Sequence, residues 1–438
     1  MRILGKMNLP LSKLILAMTL LSLLTTQAAN WPSWRGPNND GTVKDGFDYP
    51  TTWDKETNIR WRVPLPAEGN STPAIWNDFI FITQSEPKTN ERSTLCFRRS
   101  DGKLHWKSGV TYTESEQTWQ RPLNPYCSGS PVTDGKHVYA SYSSAGMICH
   151  DFSGKEIWRR DLGKIDHQFG NGTSPILHGE HVIIYHGPGD NGALVALDKA
   201  TGEIAWKIER PAPTQGAARK DNFRGNANGA ISSYVTPIIV NTTNRQELIM
   251  GFPEQIMGIN PASGSELWRF KGINPLLYAS PNQHQGNLIF LGGYGGPSLS
   301  IRSGGSNDVS ETHLNWRNDR ASSHLPSAII HEDHLYTFTM NGMAECIELN
   351  SGTLVWQERA RGKGKDTAFW GSPVLTGDKL ICMNRSGDAL VIKASPTFQQ
   401  IAANSMGEVC NATPALSNGQ IFIRTHEALW CVETEKAL

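Results

Sequence analysis

Eight times along this chain a Ser-, Thr- or Gly-rich approach to a proline opens a short apolar run, at Pro73, Pro131, Pro175, Pro237, Pro281, Pro326, Pro373 and Pro414. The intervals are 58, 44, 62, 44, 45, 47 and 41 residues. Inside most units a turn glycine is followed four residues later by tryptophan, at Gly102/Trp106, Gly154/Trp158, Gly202/Trp206, Gly264/Trp268 and Gly352/Trp356. A unit of that size cannot bury both of its faces alone and is stabilised by stacking on copies of itself. The period therefore predicts an all-β chain: an eight-bladed β-propeller of four-stranded antiparallel blades.

Each unit reads as four short strands separated by glycine turns, which is hairpin chemistry. In the third unit Ile176 and Leu177 lead to a tight turn at Gly179. A second strand runs from His181 to His186, a third from Ala193 to Leu197, and a fourth enters at Ala205 and Trp206. The eighth unit has three strands and then ends, with no glycine–tryptophan mark behind it. Its missing strand is predicted at the other end of the chain, residues 58–63, where Trp61 lies 12 residues before Pro73 as Trp268 lies 13 before Pro281. Closure by an N-terminal strand leaves no open sheet edge between the chain ends.

Residues 1–29 read as a secretory leader: Arg2, Lys6 and Lys13, an apolar run from Leu14 to Leu24, then Ala28 and Ala29. The run is too short to span a bilayer, so no transmembrane anchor is expected, and no cysteine follows it for lipid attachment. An exported product, periplasmic or secreted, is the expectation. Residues 30–57, with Trp31, Pro32, Trp34 and Pro37, have no strand pattern and read as a rigid strap; residues 58–438 form the propeller. The 41 cations balance 41 acids, and the leader removes three cations and no acid, leaving a charge of about −3. That balance excludes a nucleic-acid partner, and a monomer is expected. Cys96, Cys149, Cys346 and Cys431 occupy third-strand positions where other units carry small core residues, as Ala196 and Gly258 do, so they read as buried thiols. Cys127 and Cys410 each stand four residues before an anchor proline, and their pairing is open.

Most long connections fall between second and third strands or between blades, at 84–93, 107–126, 186–192 and 209–232, which places them on one face. Loops on a rigid scaffold carry function, so ligand binding is predicted there. Three residues before each anchor stand Asn70, Ser128, Gly172, Tyr234, Tyr278, Ser323, Trp370 and Asn411, expected to ring the channel mouth. Aromatics among small polar groups suit a flat ligand or an extended peptide. The loops add Trp119, Arg121, His167 and Arg224 as ligand-binding candidates. Two turns, His178 to His181 and His331 to His334, lack the helical geometry that puts two imidazoles on one metal, so no metal site is assigned. No nucleophile elbow or phosphate loop appears, and a hydrolase or lyase site around Arg121, His167 and Asp221 has no motif behind it.

The run Ala196-Leu-Asp198-Lys-Ala-Thr201-Gly202-Glu-Ile-Ala-Trp206 resembles the tryptophan-docking repeat of pyrroloquinoline-quinone (PQQ)-type propellers, and the runs ending at Trp268 and Trp356 match it in part. The resemblance covers nearly all of the chain after the leader. It implies that Trp61, Trp106, Trp158, Trp206, Trp268, Trp316 and Trp356 dock between neighbouring blades. Segments 31–37 and 305–316 look like marks of an exported subgroup of that family. Two functions follow from the resemblance. One is a non-catalytic scaffold like BamB, binding an envelope protein, peptide or glycan by its loops and needing no cofactor. The other is a quinoprotein dehydrogenase oxidising alcohols or sugars with PQQ and Ca²⁺. The dehydrogenase pattern includes two adjacent cysteines, which this chain lacks.

Overall fold

The computed structural model describes residues 29–114, 124–165, 167, 169–212 and 231–435. Eight small antiparallel sheets stand around a common axis. In each, alternating apolar residues bury the second and third strands, while the outermost strand is half-exposed: in the third blade His181–His186 is almost wholly buried and Ile204–Glu209 is not. The ring closes as the strand count predicts, with the strand Ile59–Pro64 paired to Ala428–Glu433 in a register that sets Trp61 opposite Cys431 and Arg62 opposite Trp430.

Blade-to-blade docking repeats with one chemistry. Each outer-strand tryptophan lies opposite a small or soft third-strand residue, such as Cys96 opposite Trp106, Cys149 opposite Trp158 and Ala196 opposite Trp206. Its indole N–H donates to a carbonyl in the turn of the next blade: Trp61 to Arg99 at 2.9 Å, Trp106 to Phe152 at 2.9 Å, Trp158 to Lys199 at 2.8 Å, Trp206 to Pro261 at 3.1 Å, Trp316 to Leu349 at 2.7 Å and Trp356 to Ser395 at 3.1 Å. The turn glycine is required for this contact. Gly102 has φ +70°, and a methyl group on it would come within 2.7 Å of the Trp61 ring.

Trp268 departs from that pattern. It is fully buried and donates at 2.8 Å to the Glu247 carboxylate of its own blade, not to the next blade. The cause lies in the fifth blade, where residues 303–313 replace the tight turn between the strands Tyr294–Arg302 and Leu314–Ser323. Part of that insertion, Asn307–Asp308, adds a parallel fifth strand to the fourth blade beside Trp268. Glu247 also takes Arg245 Nε at 2.7 Å and the Gly304 N–H at 3.2 Å. The seventh blade has Ala402 at the tryptophan position. Trp53 of the strap lies beside that strand instead, its backbone N–H 3.0 Å from Asn404 Oδ1 and its indole N–H on Met406 Sδ at 3.3 Å.

The strap is a channel plug. Trp31 pairs with Ile75 on the inner edge of the first blade, the Thr133 N–H of the second donates to Pro32 O at 2.9 Å, and Thr42–Val43 runs parallel to Val374–Thr376 of the seventh. Arg35, buried, reaches Ala328 O at 2.5 Å in the sixth blade and Pro373 O at 3.2 Å in the seventh, and Trp34 Nε1 lies 3.3 Å from Thr413 Oγ1 in the eighth. The chain enters from the tight-turn face, where the Ala29 N–H is 2.6 Å from Asn418 Oδ1. The inner strands are free sheet edges, and the plug satisfies part of their backbone.

Two expectations need correcting. In the sixth blade the first strand is Ile329–His331, so the residue equivalent to the other anchor prolines is Ala328; Pro326 stands two residues early and Ser323 is not a ring position. The 84–93 stretch is mainly a long hairpin, Phe79–Glu86 paired with Glu91–Arg98, and residues 107–111 continue a strand. All seven cysteines are buried, and none forms a disulfide among the described residues. Cys127 and Cys410 approach the second and eighth blades, with the first blade between them, and they do not pair.

Candidate functional site: the channel mouth

Directly before each inner strand a hydroxyl links neighbouring blades. The backbone N–H of Thr72 donates to Ser130 Oγ at 2.8 Å, Ser130 to Ser174 at 2.9 Å, Ser174 to Thr236 at 3.1 Å and Thr236 to Ser280 at 3.1 Å. The chain continues from Ser280 to Ser327 at 2.8 Å, Ser327 to Ser372 at 2.9 Å and Ser372 to Thr413 at 2.9 Å. Thr72 Oγ1, the acceptor that would complete the circle, has no partner. At that seam Arg424 crosses from the eighth blade to the first, donating to Ser71 Oγ, to Thr83 O at 2.6 Å and to Gln84 Oε1 at 2.9 Å. Arg424 is fully buried and none of these acceptors is a carboxylate. Burial draws its pKa down to about 9, and it stays cationic at neutral pH.

Two residues above the hydroxyl belt, the predicted ring residues separate into groups. Tyr234 and Tyr278 stack with centroids 5.5 Å apart and ring planes 29° apart, because a parallel pairing of Ser232–Ser233 with Leu276–Leu277 aligns the two approach segments. Tyr234 Oη is 3.0 Å from His167 Nδ1, so this loop histidine joins the aromatic group. Asn70 and Asn411 meet across the closing seam at His426, whose Nε2 is 3.1 Å from Asn70 Oδ1 and 3.4 Å from Asn411 Nδ2. Burial, with Arg424 and Arg385 nearby, holds His426 down to about 4, hence neutral. Trp370, half-buried, carries the Arg385 guanidinium 5.2 Å from its ring centroid, within cation–π range. Arg385 pairs with Asp366 at 2.8 Å. Ser128 turns away, its hydroxyl 2.6 Å from Pro125 O. Trp119, Arg121 and Arg224 lie outside the described residues.

Sequence reasoning missed His426, Arg385 and Arg424. The first two sit in short second-to-third loops that looked too brief to matter. Arg424 had a legible signal: it occupies the second-strand position held elsewhere by Thr83, Ser141, Tyr185, Gly251, Leu291, Phe338 and Met383, and a charge inside a buried strand calls for an explanation.

The family described as outer membrane protein assembly factor BamB, a PQQ-type propeller family, matches residues 91–358. The chain belongs to this family. Outer membrane protein assembly factor BamB of Nitrosomonas eutropha is 22% identical over 241 residues, covering 52% of this chain and 51% of that protein. A polyvinylalcohol dehydrogenase of a Sphingopyxis species is 22% identical over 273 residues, covering 55% of this chain and 39% of that enzyme. The aligned part thus spans about half the length, or less, of these curated relatives. The crystal structure of BamB from Moraxella catarrhalis superposes with a TM-score of 0.59 at 12% identity, covering 85% of this chain and 98% of the other; at that identity the likeness establishes the shared family fold alone.

Among the described residues no three His, Cys, Asp or Glu side chains group closely enough to hold a metal ion. Of the carboxylates near the mouth and the closing seam, Asp366 is committed to Arg385 and Glu408 to Arg62 at 2.7 Å. Also among the described residues, no helix is long and apolar enough to cross a membrane.

Proposed function

We propose that this chain is an exported propeller that holds a protein, peptide or glycan of the cell envelope on its loop-rich face and performs no chemistry itself. The carrying observation is the channel mouth. Half-buried aromatic faces, two asparagines and a neutral histidine converge there, while the plug and the Trp-docked turns occupy the opposite end. Concave aromatic surfaces with a few fixed polar groups are what ligand sites are made of. The family match and the named BamB relative support the scaffold reading.

The second reading is a PQQ-dependent alcohol or sugar dehydrogenase. It is favoured by the polyvinylalcohol dehydrogenase relative and by Trp370 as a stacking surface. One experiment separates the two. The purified protein is mixed with PQQ and Ca²⁺, scanned for quinone absorption and assayed for dye-linked oxidation of alcohols and sugars; in parallel, tagged protein is used to capture partners from an envelope extract. The scaffold reading expects no turnover, and capture that disappears when residues 213–230, within the 209–232 loop, are deleted while the melting temperature holds. Turnover lost in Trp370→Ala establishes the enzyme instead.

A further inference from the structure

One buried cation at the channel, Arg424, has no acid bonded to it. Arg62 has Glu408 and Arg385 has Asp366, at 2.7 and 2.8 Å. Arg424 is fully buried, and every hydrogen bond it is seen to make goes to a neutral oxygen of Ser71, Thr83 or Gln84; Arg35, buried in the plug, donates to backbone carbonyls and has the Asp40 charge near it. Arg424 Nε and Arg385 Nε have no partner. Asp388, buried in the same loop as Arg385, accepts from the Gly364 N–H at 2.8 Å and from Asn384 Nδ2 at 3.0 Å and forms no ion pair among the described residues. A buried cation without a counter-charge leaves a positive potential that low dielectric screens poorly. Since the plug fills the tight-turn end, that potential opens towards the loop-rich mouth, past Arg385 and Trp370.

We infer that the mouth binds an acidic glycan: a carbohydrate chain with carboxylate groups, one of them held on the Arg385 side and its ring faces lying on Trp370 and on the Tyr234–Tyr278 stack. This rests on the scaffold reading and names its ligand. Sugar rings present apolar C–H faces that suit aromatic side chains, and their hydroxyls both donate and accept, which the amides of Asn70 and Asn411 match. The guanidinium fork is the geometry that recognises a carboxylate. An uncharged sugar would leave the positive field unanswered.

The test is calorimetric titration of the full mature chain with a linear oligogalacturonide and with its fully methyl-esterified form. The acid is expected to bind, the neutral ester at least about tenfold more weakly, and binding is expected to fall as NaCl rises through the Debye-screening range. Arg385→Gln and Trp370→Ala are each expected to weaken the acid by about tenfold, with Arg385→Lys intermediate. Lys379→Gln, on the tight-turn face, is expected to leave binding unchanged, and circular dichroism confirms that each variant is folded. Equal binding of acid and ester, acid binding untouched by both mouth variants, or binding of free PQQ or acidic peptide alone would each overturn the inference. Envelope capture in the same variants tells the two readings apart. Capture that needs the mouth, without glycan binding, overturns the glycan only; loss of both overturns the scaffold as well.

Discussion

The two ends of this propeller obey opposite rules. At the tight-turn end six of the eight blades repeat one contact, an indole N–H on the next blade's turn carbonyl, five of them over a left-handed glycine, and even the plug uses backbone hydrogen bonds that any blade edge offers. At the loop-rich end the group changes around the ring: asparagines at the closing seam (Asn411, Asn70), small residues next (Ser128, Gly172), then two tyrosines (Tyr234, Tyr278) and finally Trp370. Where most blades keep one residue, that residue serves the ring; where the residue varies around the ring, the ring does not dictate it, and the proposed ligand site lies there. The contrast also separates stability from binding, and substitutions at each end are expected to move one and spare the other.

The largest effect is expected at the repeating end. Trp206→Ala removes a ring buried between the third and fourth blades and is expected to cost about 4 kcal/mol, read as a shifted midpoint in urea. A loss below about 1 kcal/mol would break the claim that these indoles hold the ring. Arg424→Ala, at the seam, leaves Thr83 O and Gln84 without their donor and is expected to cost about 3 kcal/mol. Arg424→Met fills the space without a charge and is expected to recover much of that loss; a methionine variant as unstable as alanine would show the guanidinium to be indispensable to closure.

His150 sharpens the comparison through pH. It is fully buried at a third-strand position where other blades carry Leu197, Ile259 and Ile301. Burial holds its pKa down to about 4, from the usual 6.5. The unfolded chain therefore takes up the proton first as pH falls. The stability contributed by the neutral ring is complete above about pH 6.5 and drains away between there and about pH 4, on the order of 2–3 kcal/mol in all. His150→Leu is expected to flatten that part of the acid unfolding profile. An unchanged slope would place the acid sensitivity elsewhere.

Trp268→Phe and Trp206→Phe make a finer pair. The first strips a donor from a buried carboxylate, Glu247, and the second from the buried but neutral Pro261 carbonyl, so losses of about 2 and about 1 kcal/mol are expected, measured side by side in urea. Equal losses would mean that the insertion at 303–313 had not changed what docking depends on. Smallest is the stability cost of Trp370→Ala, expected at about 0.5 kcal/mol or less because the ring is half-exposed.

Much of the architecture was legible because repetition averages out local ambiguity: the anchor prolines, the glycine–tryptophan marks and the orphan strand at Trp61 all point to one closed ring. The slip at Pro326 shows the limit. A proline two residues early imitates an anchor, and only the hydrogen bond from the Ser280 N–H to Ser327 reveals the true register. The plug was legible as a rigid segment but not as channel filling, because nothing in residues 31–43 states which sheet edge they will meet. The mouth was half-legible. Positions were predictable from the period, but Tyr234 and Tyr278 come together through a two-residue parallel pairing, and His426 joins Asn70 to Asn411 across a seam 356 residues long in sequence. Contacts that depend on ring closure have no local signature.

The most direct test of the division between the two ends is site-specific photocrosslinking in the living envelope, with a photoreactive residue placed at position 370 of the mouth or at position 378 of the tight-turn face. The account expects adducts of defined mass at 370 and none above background at 378. Adducts at 378 alone, or equally at both, would contradict it.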